Sequence, residues 1–268
     1  MIRKSLAFLK KDFLRESSYR LSFFSGIFTV MVSVTSYFFI DQLFGQKMVS
    51  HLEEFGVNYF SYVLLSMAFF SYVGLGLNSF SSQIQSEQTQ GTLEAILLSP
   101  TKISTILFSL ALWNLINATI ELIIYIILGI YLFHIDFSRV HLLSALIVLF
   151  LTIASFSSLG ILSASFLLAF KRGNPLDWII SNVEGLISGV YFPIGILPAG
   201  LQFIAKFFPI TYAIRAIELA VYKNYSPLQL IPEIIFLLSF SLLLLPLSFS
   251  AFKYSIKKAR QDGSLGQY

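Results

Sequence analysis

The chain has 268 residues, of which 56% are hydrophobic and only 12% are charged, with a net charge of +4 and no cysteine. Soluble domains usually carry about 25% charged residues, so this composition indicates a membrane protein. The lack of cysteine excludes disulfides, thiolate metal ligands and a cysteine nucleophile. Because the apolar runs are continuous rather than alternating, they predict an all-α membrane protein and exclude an outer-membrane barrel.

The first 20 residues form an amphipathic pattern. Apolar residues recur at helical spacing (Ile2, Leu6, Leu9, Phe13), and basic residues surround them (Arg3, Lys4, Lys10, Lys11, Arg15). This pattern predicts an interfacial helix over residues 1–20, with its basic side toward anionic lipid headgroups. A cleaved signal peptide fits less well, because charges persist to Arg20 and the apolar stretch that follows has full span length.

Six apolar segments predict six membrane-spanning helices, since one span needs about 20 residues. They cover Leu21–Ile40, about Val57–Phe80, Ile103–Phe133, Leu142–Phe170, a segment that starts near Trp178, and about Ile234–Phe252. Six spans place both termini on one side of the membrane.

The basic residues identify that side as the cytoplasm, because cytoplasmic loops carry an excess of Lys and Arg. The terminal side carries Arg3, Lys4, Lys10, Lys11, Arg15, Arg20, Lys102, Lys171, Arg172, Lys253, Lys257, Lys258 and Arg260. The other side carries only Lys47, Arg139, Lys206, Arg215 and Lys223. We therefore expect a multi-pass protein of the inner or plasma membrane with both termini in the cytoplasm.

A polar island at residues 86–100 separates the second span from the third. Thr92 is placed to cap a short helix that begins at Leu93, and Pro100 is a stop signal. The predicted helix has an apolar stripe (Leu93, Ile96, Leu97), and Glu94 faces away from it. Such a helix suits a groove on a partner protein. A solvated connector whose leucines lie on the membrane surface is an equally good interpretation.

Residues 189–227 are apolar but interrupted by helix-breaking residues (Gly189, Pro193, Gly195, Pro198, Gly200, Pro209, Pro227). A straight helix does not accommodate these prolines, yet the segment is too apolar for an ordinary loop. It predicts short re-entrant or interfacial helices on the outer side, before the last span. The chain shows no internal repeat and no linker, so we expect a single domain over residues 1–268.

Two carboxyl groups, Glu121 and Glu184, lie inside predicted spans. A charged carboxylate there costs several kcal/mol and indicates function unless it is neutral or paired. A substrate contact or an ionic latch is the functional interpretation, with Arg215 as the basic residue in an apolar context that could reach either acid. The alternative is a neutral acid that hydrogen-bonds to a neighbouring polar side chain such as Asn114, Asn117 or Asn182.

Enzyme signatures are absent from the sequence. It contains no phosphate-binding loop, no H-E-x-x-H zinc motif and no G-x-S-x-G nucleophile motif. We therefore expect no catalytic residue, no metal site and no nucleic-acid partner. Gly74 and Gly76 lie in the middle of a span and predict close helix packing.

Three motifs resemble those of ABC type-2 transporter permeases, and they occur in the family's order along nearly the whole chain. The polar island reads Glu87-x-x-x-Gly91-Thr92-Leu93-Glu94-x-x-Leu97-x-x-Pro100 and resembles the loop after the second span. The outer segment is similar in Gly189-Val190-Tyr191-Phe192-Pro193, Leu197-Pro198 and Phe208-Pro209-Ile210-Thr211-Tyr212. The amphipathic start with Lys-Lys-Asp-Phe, followed by Ser18-Tyr19-Arg20, is also similar.

The resemblance implies the membrane subunit of an exporter that moves an amphipathic, drug-like or lipid-linked substrate. Such a permease pairs with a second, identical or different, permease copy in the lipid bilayer. It binds two separate ATP-binding cassette subunits, which carry ATP and Mg, so this chain would bind no cofactor and have no ATPase site of its own. Glu87–Pro100 would contain the coupling helix, and residues 1–20 would be the interfacial helix. Residues 189–227 would cap the translocation path, whose candidate residues are Glu121, Glu184, Tyr191, Pro193 and Arg215.

Two other functions compete with this one. A proton-coupled secondary transporter would use Glu121 or Glu184 as its proton carrier and would need no ATPase. A non-transporting scaffold or receptor would use the polar island to recruit a signalling partner. A co-purifying nucleotide-binding subunit would count against both.

Overall fold

The computed structural model describes residues 7, 9–11, 13–14, 20–98, 103–170 and 187–261. Within these residues the regular structure is entirely helical. This confirms the predicted all-α class. The fifth predicted span, with Glu184, and Pro100 lie outside the described residues.

Five long helices occupy the places of the first four and the last predicted spans. They are α1 (Arg20–Leu52), α2 (Tyr59–Thr89), α4 (Ile103–Tyr131), α5 (Leu142–Phe170) and α8 (Ile231–Gln261). The short helix α3 (Leu93–Leu98) lies between α2 and α4 and begins at the predicted residue. The helices α1, α2 and α8 extend beyond the apolar segments, because helical hydrogen bonding continues into polar sequence outside the apolar core.

Three of these helices are long and apolar enough to cross a membrane, judged by length and composition. Their apolar parts are Ser25–Gly45, Leu142–Ala169 and Ile231–Ala259. The helices α2 and α4 contain shorter apolar stretches, Tyr59–Gly74 and Leu115–Tyr131. The chain is thus a helical membrane protein, and the count of six spans stays a prediction.

The outer segment before α8 folds into three short elements. A 3-10 turn covers Ile194–Ile196, α6 covers Ala199–Ala205 and α7 covers Pro209–Tyr222. The prolines begin these elements: Pro193 precedes the 3-10 turn, Pro198 precedes α6, and Pro209 is the first residue of α7. A proline at a helix start loses no hydrogen bond, because the first amides of a helix have no intrahelical partner. Short helices are confirmed here, whereas their re-entry into the membrane stays a prediction.

The helix α2 lies at the centre of the described bundle and contacts α1, α4, α5 and α7, while α8 packs on α5 and α7. Its closest approach is to α5. A Cβ atom at Gly160 would lie 2.1 Å from the Gly76 carbonyl oxygen, and one at Gly76 would lie 2.5 Å from Phe156 Cβ. The predicted packing role is therefore confirmed for Gly76. Within the described residues it is wrong for Gly74, where a Cβ atom would meet nothing within 4 Å.

Candidate functional site

The junction between α2 and α3 is a Schellman motif. Gly91 adopts a left-handed backbone conformation with φ +69°, which explains glycine at this position. The Gly91 amide donates to the Gln88 carbonyl at 2.8 Å, and the Thr92 amide donates to the Glu87 carbonyl at 2.9 Å. The last carbonyls of α2 are thereby satisfied, and the chain turns sharply into α3.

Glu87 holds this junction through its side chain. The residue is 2% exposed, and its carboxylate accepts hydrogen bonds from Lys11 Nζ, from the Thr92 hydroxyl and from Gln83 Nε2, the last at 3.1 Å. Burial disfavours the charged carboxylate, but these hydrogen bonds and the positive charge of Lys11 outweigh it and lower the pKa of Glu87. We call Lys11, Gln83, Glu87 and Thr92 the clasp.

The clasp also connects the N-terminal segment to the bundle. The described residues between positions 7 and 14 are helical, as the amphipathic pattern predicts. Two residues after Lys11, the Phe13 ring lies edge-on to the Trp113 ring of α4, with centroids 6.1 Å apart. The segment therefore contacts α2 through Lys11 and α4 through Phe13.

The apolar stripe of α3 is divided between two environments. Leu93 is 3% exposed and belongs to a buried cluster formed with α2, α5 and α8 (Phe80, Ile84, Ile161, Ala164, Leu167, Leu168, Phe252, Ile256, Ala259). Ile96 is half-buried and Ala95 is exposed. Glu94 and Leu97 are helical residues of α3. Because Leu93 faces this chain's own core, the surface of α3 open to a partner includes Ala95 and excludes Leu93.

A charged cluster occupies the opposite end of α2. Arg215 on α7 donates to Glu54 Oε1 from Nε at 3.0 Å and from Nη2 at 2.6 Å, and its Nη1 lies 3.3 Å from Glu233 Oε1. Next to the cluster is a cavity of about 170 Å³, lined among others by His51, Tyr62, Gly189, Pro193, Thr211 and Arg215. Arg215 joins the end of α1 to the start of α8 and does not pair with Glu121.

The other predicted path residues lie in two places. Tyr191 stacks on Tyr37 of α1 with ring centroids 5.8 Å apart, and its carbonyl accepts from the Tyr59 hydroxyl at 2.9 Å. Glu121 is half-buried on α4. One turn further along α4, Tyr125 lies within electrostatic reach of both Glu121 and Tyr191. Glu121 and Tyr191 therefore both lie near Tyr125.

Sequence reasoning missed the most deeply buried carboxyl group, that of Glu218 on α7. The residue is 0% exposed. A signal was present: Ile210, Ile214, Ile217 and Val221 recur at helical spacing, and Glu218 is four residues after Ile214 and three before Val221. An acid on the apolar face of a predicted helix marks a buried carboxyl group as clearly as one inside a span does.

The fold and these features define a helical membrane protein with a braced short helix at one end of its bundle and a charged cluster at the other. The family model for ABC-2 type transporters matches residues 5–222. The chain therefore belongs to the ABC-2 type transporter family and is a transmembrane ABC transporter subunit, a transport component that is not itself catalytic. Membership implies association with ATP-binding cassette subunits. No curated protein matches the chain.

Proposed function

We propose that this chain is the membrane subunit of an ATP-driven exporter in which residues 86–100 receive the motion of separate ATP-binding subunits. The observation that supports this proposal is that α3 is held against the long helices by hydrogen bonds and by a buried side chain. The Glu87 carboxylate ties α3 to the end of α2 and to Lys11, and Leu93 inserts between α2, α5 and α8. A force applied to α3 would thus reach three long helices directly, whereas a loose connector would absorb it.

In this proposal ATP and Mg bind to two partner subunits, and this chain holds neither. Both termini and α3 face the cytoplasm in the inner or plasma membrane, as the basic residues indicate. The two partner subunits would draw α3 of each permease copy together on binding ATP. The helices that pack on Leu93 would then tilt and open the path outward.

A second permease copy, identical or different, would complete the path. The helix α1 supports this, because it packs mainly on α2 and α4 among the described helices and leaves large apolar side chains uncovered, including Phe28, Phe39 and Leu43. Amphipathic, drug-like or lipid-linked molecules would pass between the copies. The residues that this chain would contribute to the path are Glu121, Glu184, Tyr191, Pro193 and Arg215.

The docking role of α3 is tested by Ala95→Arg, because Ala95 is exposed and its substitution leaves Leu93 and the clasp intact. We expect the amount of ATP-binding subunit that co-purifies from native membranes, and the ATPase activity of the eluate, to fall about tenfold or more, which corresponds to about 1.4 kcal/mol, because a long charged side chain would be forced into the contact without a partner. Leu228→Arg is the matched control: Leu228 is 78% exposed beyond the far end of α7. It should leave both readouts unchanged.

The outcomes separate the proposed function from its rivals. If Ala95→Arg retains the ATP-binding subunit at the wild-type level, α3 is not the docking helix. A wild-type chain that elutes alone in several mild detergents, and that transports in response to a proton gradient, would establish the secondary transporter. A partner that co-purifies without nucleotide-binding activity would establish the scaffold.

A further inference from the structure

The carboxyl group of Glu218 lies between α2 and α7, fully enclosed by protein. The Ser66 hydroxyl on α2 donates to Glu218 Oε1 at 2.7 Å. Oε2 is also buried and has no hydrogen-bond partner in the part of the chain that the structure describes. We call this contact between α2 at residues 61–66 and α7 at residues 214–222 the seam.

The ionisable groups nearest the seam are already engaged. On α2, the Tyr62 hydroxyl donates to the Gly189 carbonyl. On α7, the Tyr222 hydroxyl donates to the Ser61 carbonyl at 2.8 Å, and Arg215 is paired with Glu54 and Glu233.

In the described part of the chain, the remaining helices that pack against α7 supply no further cation. Glu233 of α8 is the acid that pairs with Arg215. The helix α5 contains no ionisable residue, and His141, which precedes it, contacts the Ser144 hydroxyl through Nδ1 at 2.8 Å. Of the groups that surround Glu218 in the described residues, none offers a positive charge to its carboxylate.

A carboxylate that is buried without a cation is unstable relative to the neutral acid. Burial raises the pKa of Glu218 well above its usual range, and the hydrogen bond from Ser66 opposes this only in part. A neutral acid also suits the geometry, because Ser66 can donate to the carbonyl oxygen and the unpartnered oxygen can carry the proton.

We propose that Glu218 is a proton-binding site in the seam, protonated while α7 is packed on α2 and ionised when the seam opens to water. Opening the seam then releases one proton. At a pH below the ordinary pKa of a glutamate side chain, Glu218 holds the proton in both the packed and the open seam. The opening equilibrium then does not depend on pH. Above that pKa only the packed state holds the proton, so opening becomes more favourable as pH rises, by up to tenfold per pH unit, until the packed state also ionises.

The chain has no cysteine, so a single reporter thiol measures seam opening directly. Ser61→Cys is a small change at an 8% exposed position in the seam. We would measure the rate of its modification by a small neutral thiol reagent between pH 6 and pH 9, with Glu218 present and in the Glu218→Gln variant. The ratio of the two rates cancels the ionisation of the thiol itself.

We expect the modification rate with Glu218 present, divided by the rate in the Glu218→Gln variant, to rise severalfold or more from pH 6 to pH 9. The reason is that glutamine cannot release a proton and keeps the bond to Ser66. A ratio that stays constant with pH would overturn the proposal. The experiment needs no ATP-binding subunit, so its failure leaves the proposed function standing.

The protonated state is tested separately by infrared spectroscopy of the purified chain. At pH 7 the carbonyl-stretch band of a protonated carboxyl group should weaken in Glu218→Gln, and in Glu218→Met if the glutamine variant does not fold. Glu121→Gln serves as the control, because it identifies any part of the band that comes from Glu121, the acid inside a predicted span. If the Glu218 variants and the wild type give the same band, Glu218 is ionised and the proposal is wrong.

Discussion

Replacing Gly160 by alanine is expected to force α2 and α5 apart. The added Cβ atom would lie 2.1 Å from the Gly76 carbonyl oxygen and 2.7 Å from the Leu77 carbonyl oxygen. Both are backbone atoms of α2, so no side-chain rotation relieves the contact. Overpacking of this kind costs roughly 1–3 kcal/mol, and more where the backbone itself must move. Thermal unfolding of the purified chain in detergent should show a clearly lower midpoint and a smaller folded fraction.

Gly74→Ala is the control for this experiment. It introduces the same methyl group into α2, two residues from Gly76, at a position where nothing in the described residues lies within 4 Å. Alanine also favours the helical state over glycine by about 1 kcal/mol, so this variant should be as stable as the wild type or slightly more stable. If Gly160→Ala and Gly74→Ala unfold at the same temperature, the close approach of α2 to α5 does not exist in solution.

Lys11→Gln is expected to loosen α3 more than Glu87→Gln does, although each variant removes one charge of the same ion pair. The side chain of Glu87 is 3% exposed, whereas that of Lys11 is 41% exposed. Lys11→Gln therefore leaves a buried carboxylate without its cation, while Glu87→Gln leaves a lysine that water solvates. Because Lys11 is partly screened by water, we expect a cost of only about 1–2 kcal/mol for Lys11→Gln. Amide hydrogen exchange over residues 88–98 should accelerate about tenfold.

The double variant and the pH dependence complete this test. Lys11→Gln combined with Glu87→Gln should exchange as Glu87→Gln does, because no buried charge remains. The lowered pKa of Glu87 means that the packed state favours the ionised carboxylate, so the clasp contributes fully above the ordinary carboxyl pKa and is lost as pH falls through the lowered value. In the wild type, α3 should therefore loosen only in acid. Equal exchange in the two single variants at neutral pH would contradict the clasp.

The positions of many helices can be predicted from the sequence, because they depend on residues that are close together in the chain. The run Leu142–Phe170 has no charge and no proline, and it forms one helix with those bounds. Thr92 and Leu93 were expected at the start of a short helix, and the glycine that makes the turn is adjacent in sequence. Pro193, Pro198 and Pro209 each stand at the start of a short element, since proline restricts only its own turn of backbone. Such features depend on residues within about four positions of one another.

Contacts between distant parts of the chain required the tertiary structure. Nothing in the spacing of Lys11 and Glu87, which are 76 residues apart, predicts their ion pair. The sequence shows that Leu93 belongs to the apolar stripe of a predicted short helix. The arrangement of α2, α5 and α8 decides that Leu93 faces this chain's own core. Arg215 is a candidate partner of Glu121 or Glu184 in the sequence, and packing of α7 places it between Glu54 and Glu233, while Glu184 lies outside the described residues.

The membrane class, the places of the described long helices, the short helix at Leu93 and the interrupted outer segment all follow from local sequence patterns. The pairing of charges, and the burial of Glu218 without a cation in the described residues, follow from helix packing. The physical reason is that helix formation is governed by local hydrogen bonding and apolar periodicity, whereas burial of Glu218 depends on how α7 packs against α2, α5 and α8.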